Sequence, residues 1–358
     1  MKFVVDAMCA EYGGIRTYVD HLLGRWTSVY PEDELHIVVP EGSTLDVSPH
    51  TKHELRVRHP TTLGRPLAQS AGLHRVIRLV QPDAVLATMP STTVRNLGRP
   101  LAVVVHDLRH ELRPEQFSAF RRLLRRFSYG RSYRLADGFI AVSSRSLQDL
   151  HDRHAGTRLK PAVVAHHGAD HVFDWPTSHR SGPSVAFAHH TNKNPDLIID
   201  AWDILAKRGP DVPPLMIVGV RGNVRAQLES EIASRLLDGH IVLAPFLPDE
   251  EFHQVLAGAE MIVFPSDFEG FGLPVVEGMA MGKPVVIGPE KATLEIAGGH
   301  AMVMTDWSAE ALAGAVTAAR ALSAGKLDAA RIWGEGFTWD ATVAKTRSEL
   351  VRLCSQVT

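Results

Sequence analysis

The chain has 358 residues, 45% of them apolar and 22% charged, with a formal net charge of −2 at neutral pH. That length exceeds what one core usually supports and predicts two domains, and the near-neutral balance excludes a global field that draws the protein to nucleic acid. Two cysteines at opposite ends, Cys9 and Cys354, exclude a disulfide framework and fit a reducing cytoplasm. The opening Met-Lys-Phe-Val-Val-Asp meets an acid at Asp6, too early for a signal-peptide core. No apolar run approaches the ~20 residues that span a bilayer. The expectation is a soluble cytoplasmic protein that lies, at most, on the inner face of a membrane.

In chain order, short β-branched runs alternate with amphipathic segments. The predicted strands are 2–7, 35–39, 54–58, 83–88, 101–106, 138–142 and 162–166, then 184–188, 214–219, 240–244, 260–264, 284–287 and 301–304. This alternation predicts parallel sheets covered by helices on both faces. Residues 168–183, with Trp175-Pro176 and Ser181-Gly182-Pro183, read as a linker. The expected class is therefore α/β, with two Rossmann-like doubly wound domains facing across a cleft, 1–170 and 171–338. A last helix is predicted over 339–355, where Val343, Leu350 and Leu353 recur at helical spacing.

The first strand runs into Gly13-Gly14, which opens a helix and lets backbone amides approach a phosphate or a hydroxyl. The Gly-x-Gly-x-x-Gly fingerprint is absent there, so dinucleotide binding is not supported. His106-Asp107 ends a buried strand, where ligand groups gather in open α/β sheets. Between 109 and 134 stand Arg109, Arg113, Arg121, Arg122, Arg125, Arg126, Arg131 and Arg134, interleaved with Phe117, Phe120, Leu123, Leu124 and Phe127. This basic helix reads as a solvated face over a buried stripe, as a contact for anionic membrane, or as a contact for an anionic acceptor. Nineteen histidines are scattered, and neither His166-His167 nor His189-His190 has metal-ligand spacing around it, so no metal is expected.

Residues 264–282, Phe-Pro-Ser-Asp-Phe-Glu-Gly-Phe-Gly-Leu-Pro-Val-Val-Glu-Gly-Met-Ala-Met-Gly, carry the most information. They read as a strand end, an open loop, and a helix with Pro274 in its first turn and a stop at Gly282. Gly270 and Gly272 allow close backbone approach, and the N–H groups around Phe271, Gly272 and Leu273 predict an anion site at the helix N-terminus. Glu269 is expected in the loop and Glu277 in the first helical turn. Two carboxylates beside a phosphate cradle suit a sugar nucleotide.

This Glu269-x7-Glu277 block, with its Glu-Gly-Phe-Gly-Leu-Pro core, resembles the EX7E motif of retaining glycosyltransferases of family 4, which have the GT-B fold. The likeness is nearest to bacterial polysaccharide and mannosyl-type enzymes. It implies transfer of a sugar from a nucleotide-diphosphate sugar, GDP- or UDP-linked, to a hydroxyl acceptor, and a last helix that returns to the first domain. No Asp-x-Asp occurs in the chain, and the resemblance implies no metal cofactor. By the same resemblance Glu277 holds the ribose hydroxyls, Glu269 with the Phe271–Leu273 amides orients sugar and phosphate, and Lys193 grips the diphosphate. The backbone of Phe246 and Leu247 pairs with the base, His106 contacts the transferred sugar, and the Gly13-Gly14 loop lies at the cleft. Relatives carry a further diphosphate arginine; here His189 or His190 stands nearest to its place, which implies a donor affinity more dependent on pH. Some relatives dock on membranes through a basic element of the first domain, which points to Arg121, Arg122, Arg125 and Arg126. The alternatives are a non-catalytic sugar-nucleotide-binding scaffold and a sugar-nucleotide epimerase of the same fold.

Overall fold

The computed structural model describes residues 1–11, 13–57, 61–176, 182–189 and 191–356, apart from the side chains of 61–63 and 223. Two units divide the chain: residues 1–168 with 338–358, and residues 169–337. His190 and the Ser181 part of the predicted linker lie outside the described residues.

The first unit is a seven-stranded sheet of β1 (Lys2–Asp6), β2 (Glu34–Pro40), β3 (Thr51–Leu55), β4 (Ala84–Ala87), β5 (Leu101–Val105), β6 (Gly138–Ala141) and β7 (Ala162–Val164). All its pairings are parallel, in the order β3-β2-β1-β4-β5-β6-β7. Its helices are α1 (Gly13–Val29), α2 (Thr61–Val80), the single turn α3 (Arg109–Leu112), α4 (Ala119–Leu135) and α5 (Ser144–Arg153). Central strands of a parallel sheet are covered on both faces, and so Phe3, Val4 and Val5, or Ala102 to Val105, are continuous apolar runs with no exposed surface.

The second unit repeats the plan with β8 (Ser184–Phe187), β9 (Leu215–Val218), β10 (Ile241–Leu243), β11 (Ile262–Phe264), β12 (Val285–Ile287) and β13 (Met302–Val303), ordered β10-β9-β8-β11-β12-β13. The helices are α6 (Pro195–Arg208), α7 (Gly222–Ser234), α8 (Asp249–Gly258), α9 (Leu273–Ala280), α10 (Lys291–Ala297), α11 (Ala309–Arg320) and α12 (Ala324–Glu335). The last helix, α13 (Trp339–Ser355), belongs to the first unit and packs on α1 and on β4 to β7. Thr338 caps it, its hydroxyl accepting from the Ala341 N–H at 3.2 Å, and Trp339 is buried beside Gly168.

Each predicted strand has an observed counterpart, and one is displaced. The third lies at Thr51–Leu55 rather than 54–58, because it is an edge strand with exposed Thr51, Lys52 and Glu54, and the apolar signal that marks central strands is missing from it. Part of the predicted linker is also ordered differently: Asp170–Asp174 forms a 3₁₀ turn packed against α9. Among the described residues no helix is long and apolar enough to cross a membrane.

Candidate functional site

In each sheet the strand order reverses beside the first strand, between β1 and β4 and between β8 and β11. The loops leaving the carboxyl ends of such neighbours splay apart and leave a crevice. The second unit gathers its polar groups there. After β8, a 3₁₀ turn (Thr191–Lys193) and Asn194 in the left-handed region lead into α6, with Pro195 at its start. After β11 comes the loop of Ser266 to Gly272.

Side chains from these two loops join. The buried Asn192 Nδ2 donates to Ser266 Oγ (2.9 Å), Phe268 O (2.8 Å) and Glu269 Oε1 (3.1 Å). Ser266 Oγ and Lys193 Nζ both reach Glu269 Oε1 at 2.5 Å. Lys193 is only 6% exposed and its ammonium also lies 4.1 Å from the centre of the Phe264 ring. The lysine and the glutamate selected from sequence are thus partners in a half-dry ion pair, fixed by an asparagine and a serine that the sequence reading did not single out. Asn192 stands next to Lys193 and Ser266 inside the Phe-Pro-Ser-Asp run, so proximity to the chosen residues was the one available signal.

The α9 helix begins at Gly272, whose φ of +103° is left-handed. A Cβ there would stand 3.2 Å from Thr293 Cγ2, so both conformation and space favour glycine. The helix ends in a paired turn in which Gly282 N–H donates to Met279 O (2.7 Å) and Lys283 N–H to Gly278 O (2.9 Å), with Gly282 at φ +67°. Because helical geometry starts at Leu273, Glu277 is the fifth helical residue and belongs to the second turn, not the first. Glu277 is 4% exposed, and its carboxylate lies 3.2 Å from His171 Nε2 on the Asp170–Asp174 turn. His171 packs edge-on to Trp175 (5.4 Å), and Trp175 stacks on His253 of α8 (4.4 Å). Burial lowers the pKa of His253, against the opposing charges of Asp249 and Glu277. This histidine–tryptophan wall was missed because its first two members lie in the segment read as a linker.

Other expected residues are distributed as follows. Phe271 is a core side chain, edge-on to Phe337 at 6.1 Å, so only its backbone is available to a ligand. Leu273 is the first residue of α9. Phe246, after β10, is half exposed, and the Arg221 guanidinium lies 4.8 Å over its ring, with Leu247 following it on the same loop. His189 is exposed at the end of β8.

In the first unit, His106 follows β5 and donates from Nε2 to Thr88 O at 2.9 Å. That bond leaves Nδ1 as the acceptor of the neutral ring. Burial lowers its pKa, while the bond to Thr88 and the charge of Asp107 act the other way. Its ring packs edge-on to Tyr18 at 5.1 Å and is 5.7 Å from His167. Gly13, at φ +66°, and Gly14 open α1 with nothing within 4 Å of an added Cβ. Arg16, on the first turn of α1, pairs with Asp20 at 2.7 Å and donates to Thr44. No group of three or more histidine, cysteine, aspartate or glutamate side chains suited to a metal occurs among the described residues.

Comparison with known families places this geometry. Glycosyltransferase Family 4 matches residues 12–173, and Glycosyl transferases group 1 matches residues 185–330. The chain is a glycosyltransferase of family 4. Its fold is GT-B. The glycosyltransferase is 26% identical over 372 residues to the GDP-mannose-dependent alpha-(1-6)-phosphatidylinositol dimannoside mannosyltransferase of Mycobacterium tuberculosis, covering 94% of this chain and 92% of that one. It is 30% identical over 103 residues to mannosylfructose-phosphate synthase of Agrobacterium fabrum, a match covering 27% of this chain and only 23% of that protein. The crystal structure of Anabaena HepE in complex with UDP and glucose aligns with a TM-score of 0.70 at 17% identity, covering 100% of this chain and 98% of that one, and so shares the fold.

Proposed function

We propose that this glycosyltransferase moves a sugar from a nucleotide-diphosphate sugar to a hydroxyl acceptor with retention of configuration and without a metal. The observation that carries the reading is the Asn192, Lys193, Ser266 and Glu269 cluster at the β8/β11 switch point, beside the N-terminus of α9 and the buried Glu277. In this reading Lys193 turns from Glu269 to the diphosphate, and with the N–H groups around Phe271 to Leu273 it stabilises the charge that grows on the leaving group. Glu277 accepts two hydrogen bonds from the ribose diol. Glu269, still held by Asn192 and Ser266, orients the sugar. His106 accepts a sugar hydroxyl at Nδ1, the Gly13-Gly14 turn serves the acceptor, and the Phe246-Leu247 backbone meets the base. The chain presents no residue that we assign as a covalent nucleophile. The acceptor oxygen therefore attacks the face the leaving group departs from, and a departing phosphate oxygen takes the acceptor proton.

The full-length relative named for GDP-mannose and the shared-fold structure that holds UDP make GDP- and UDP-sugars the first donors to test. A thermal-shift screen with UDP, GDP, dTDP, ADP and CMP, with and without chelator, is the direct experiment. A nucleotide at 100 times its Kd adds ~2.7 kcal/mol of stability. One clear winner that chelator leaves unchanged supports the reading, and no response to any overturns the donor site. The anomeric configuration of the first product, read by NMR, then tests retention.

A further inference from the structure

Glu277 sits on a helix whose neighbouring residues, Val275, Val276, Gly278, Met279 and Ala280, are all buried. A carboxylate kept from water needs a partner. His171 is that partner, with Nε2 3.2 Å from Glu277 Oε1 and each side chain 6% exposed. A carboxylate only accepts, so the proton of this contact sits on Nε2. Among the described residues no other hydrogen bond reaches the Glu277 side chain. The imidazole therefore takes one of its roughly four lone-pair sites and leaves the others for a ligand. This differs from Glu269, whose Oε1 alone accepts from Asn192, Lys193 and Ser266.

The histidine is itself held in place. Its turn closes through Val172 N–H donating to Ala169 O (3.1 Å) and Trp175 N–H donating to Val172 O (3.1 Å), and Ala169 and Val172 are buried. Ala169 N–H donates in addition to Phe337 O at 2.8 Å, which ties the start of the turn to the end of the same unit. The ring meets the edge of Trp175, and Trp175 is backed by the stacked His253. An imidazole fixed by its turn and by an aromatic wall loses its rotamer freedom before a ligand arrives, and so does the carboxylate it bonds. Water cannot take over the contact, because both side chains are shielded from it.

We infer that His171 is a positioning residue of the donor site: it holds the Glu277 carboxylate in the setting that accepts a ribose diol, and so makes the site select ribonucleotides over 2′-deoxynucleotides. The inference rests on the donor reading given above. The test is calorimetric titration of the full chain with UDP and 2′-deoxy-UDP, and with GDP and 2′-deoxy-GDP. The proteins compared are the wild type, E277A, H171F, which keeps an aromatic ring against Trp175 but has no donor, and H171Q, whose amide nitrogen is as many bonds from the backbone as Nε2. Should H171F not fold, H171N takes its place, since its amide stops short of the Nε2 position. The wild type should bind the ribonucleotide about tenfold more tightly than its 2′-deoxy form. That preference should vanish in E277A, fall about fivefold in H171F and return in H171Q. A merely structural role weakens both nucleotides alike and leaves their ratio unchanged, so an unchanged ratio in H171F overturns the inference, as does a loss that H171Q does not restore. A ratio that collapses in E277A and persists in H171F removes His171 alone and leaves the donor reading standing. A wild type that binds neither nucleotide, or both forms equally, overturns the inference together with the role given to Glu277.

Discussion

The two basic places of this chain handle charge in opposite ways. At the β8/β11 switch point Lys193 is almost buried and already holds Glu269. On the first unit Arg122, Arg126, Arg134 and Arg153 are exposed, and among the described residues they hold no carboxylate. The reason is dielectric. A cation removed from water must have a partner at all times, so the crevice carries its own carboxylate and exchanges it when a ligand arrives. A cation that water still solvates can wait without one. The pairing therefore measures how far each site has been dried, and the paired site is the more sensitive to the loss of a single residue.

The largest effect that tests this contrast is Lys193→Ala. Breaking a buried pair leaves a charge uncompensated and costs about 3–5 kcal/mol at full burial. With Lys193 at 8% and Glu269 at 15% side-chain exposure, the expected loss lies at the lower end of that range. Chemical denaturation should show K193A/E269Q recovering part of it, and equal stability of the two variants breaks the argument. Next is Glu277→Ala, which forfeits charged hydrogen bonds worth ~1.5–3 kcal/mol each. Nucleotide affinity by calorimetry should fall tenfold or more, and an unchanged value removes Glu277 from the donor site.

A smaller effect sharpens the other side. Burial pushes Glu111 up, but the His110 ring 3.4 Å away and the hydrogen bond from His154 more than offset this and hold its carboxyl well below the usual range. A folded-state value below the unfolded one gives stability that is present above the ordinary carboxylate pKa and lost as pH falls through the lower, folded value. Glu111→Gln should therefore lower stability near pH 6 by about 1 kcal/mol in chemical denaturation, and the gap should close progressively in acid below the usual carboxylate pKa of 4.5. A gap that widens in acid reverses the sign and refutes the account. Smallest of all is the stability change in R122Q/R126Q, within about 0.5 kcal/mol because both side chains are exposed and, among the described residues, unpaired. A larger loss by denaturation means the arginines support the fold rather than stand in solvent. The resemblance that sets His189 or His190 nearest to the place of the family's diphosphate arginine gives one further measurement: donor affinity should change between pH 6 and 8, and a flat profile sets that idea aside.

Most of the sheet architecture was legible because a central parallel strand must be apolar on both faces, and runs such as Phe3-Val4-Val5 or Ile262-Val263-Phe264 have no other common explanation. The third strand was misplaced for the complementary reason, since an edge strand need bury little. Gly272, Pro274 and Gly282 announced the loop-helix-stop of α9, as each fills a backbone role few residues can. The partners were harder to see. Asn192 and His171 come from segments far from Glu269 and Glu277 in the chain, and Ser266, three residues before Glu269, had only that proximity to mark it.

Two kinds of information separate on that line. The alternation of strands and helices, the glycine-rich loop with its paired glutamates, and the arginine-only charge of α4 are local properties, readable because backbone conformation and burial pattern act over a few residues. The capture of Lys193 by Glu269, the wall of His171 and Trp175 against Glu277, and the engagement of Glu111 by His154 were decided by the tertiary structure alone. Electrostatic partnership depends on distance in space and on exclusion of water, and neither is written in the order of residues.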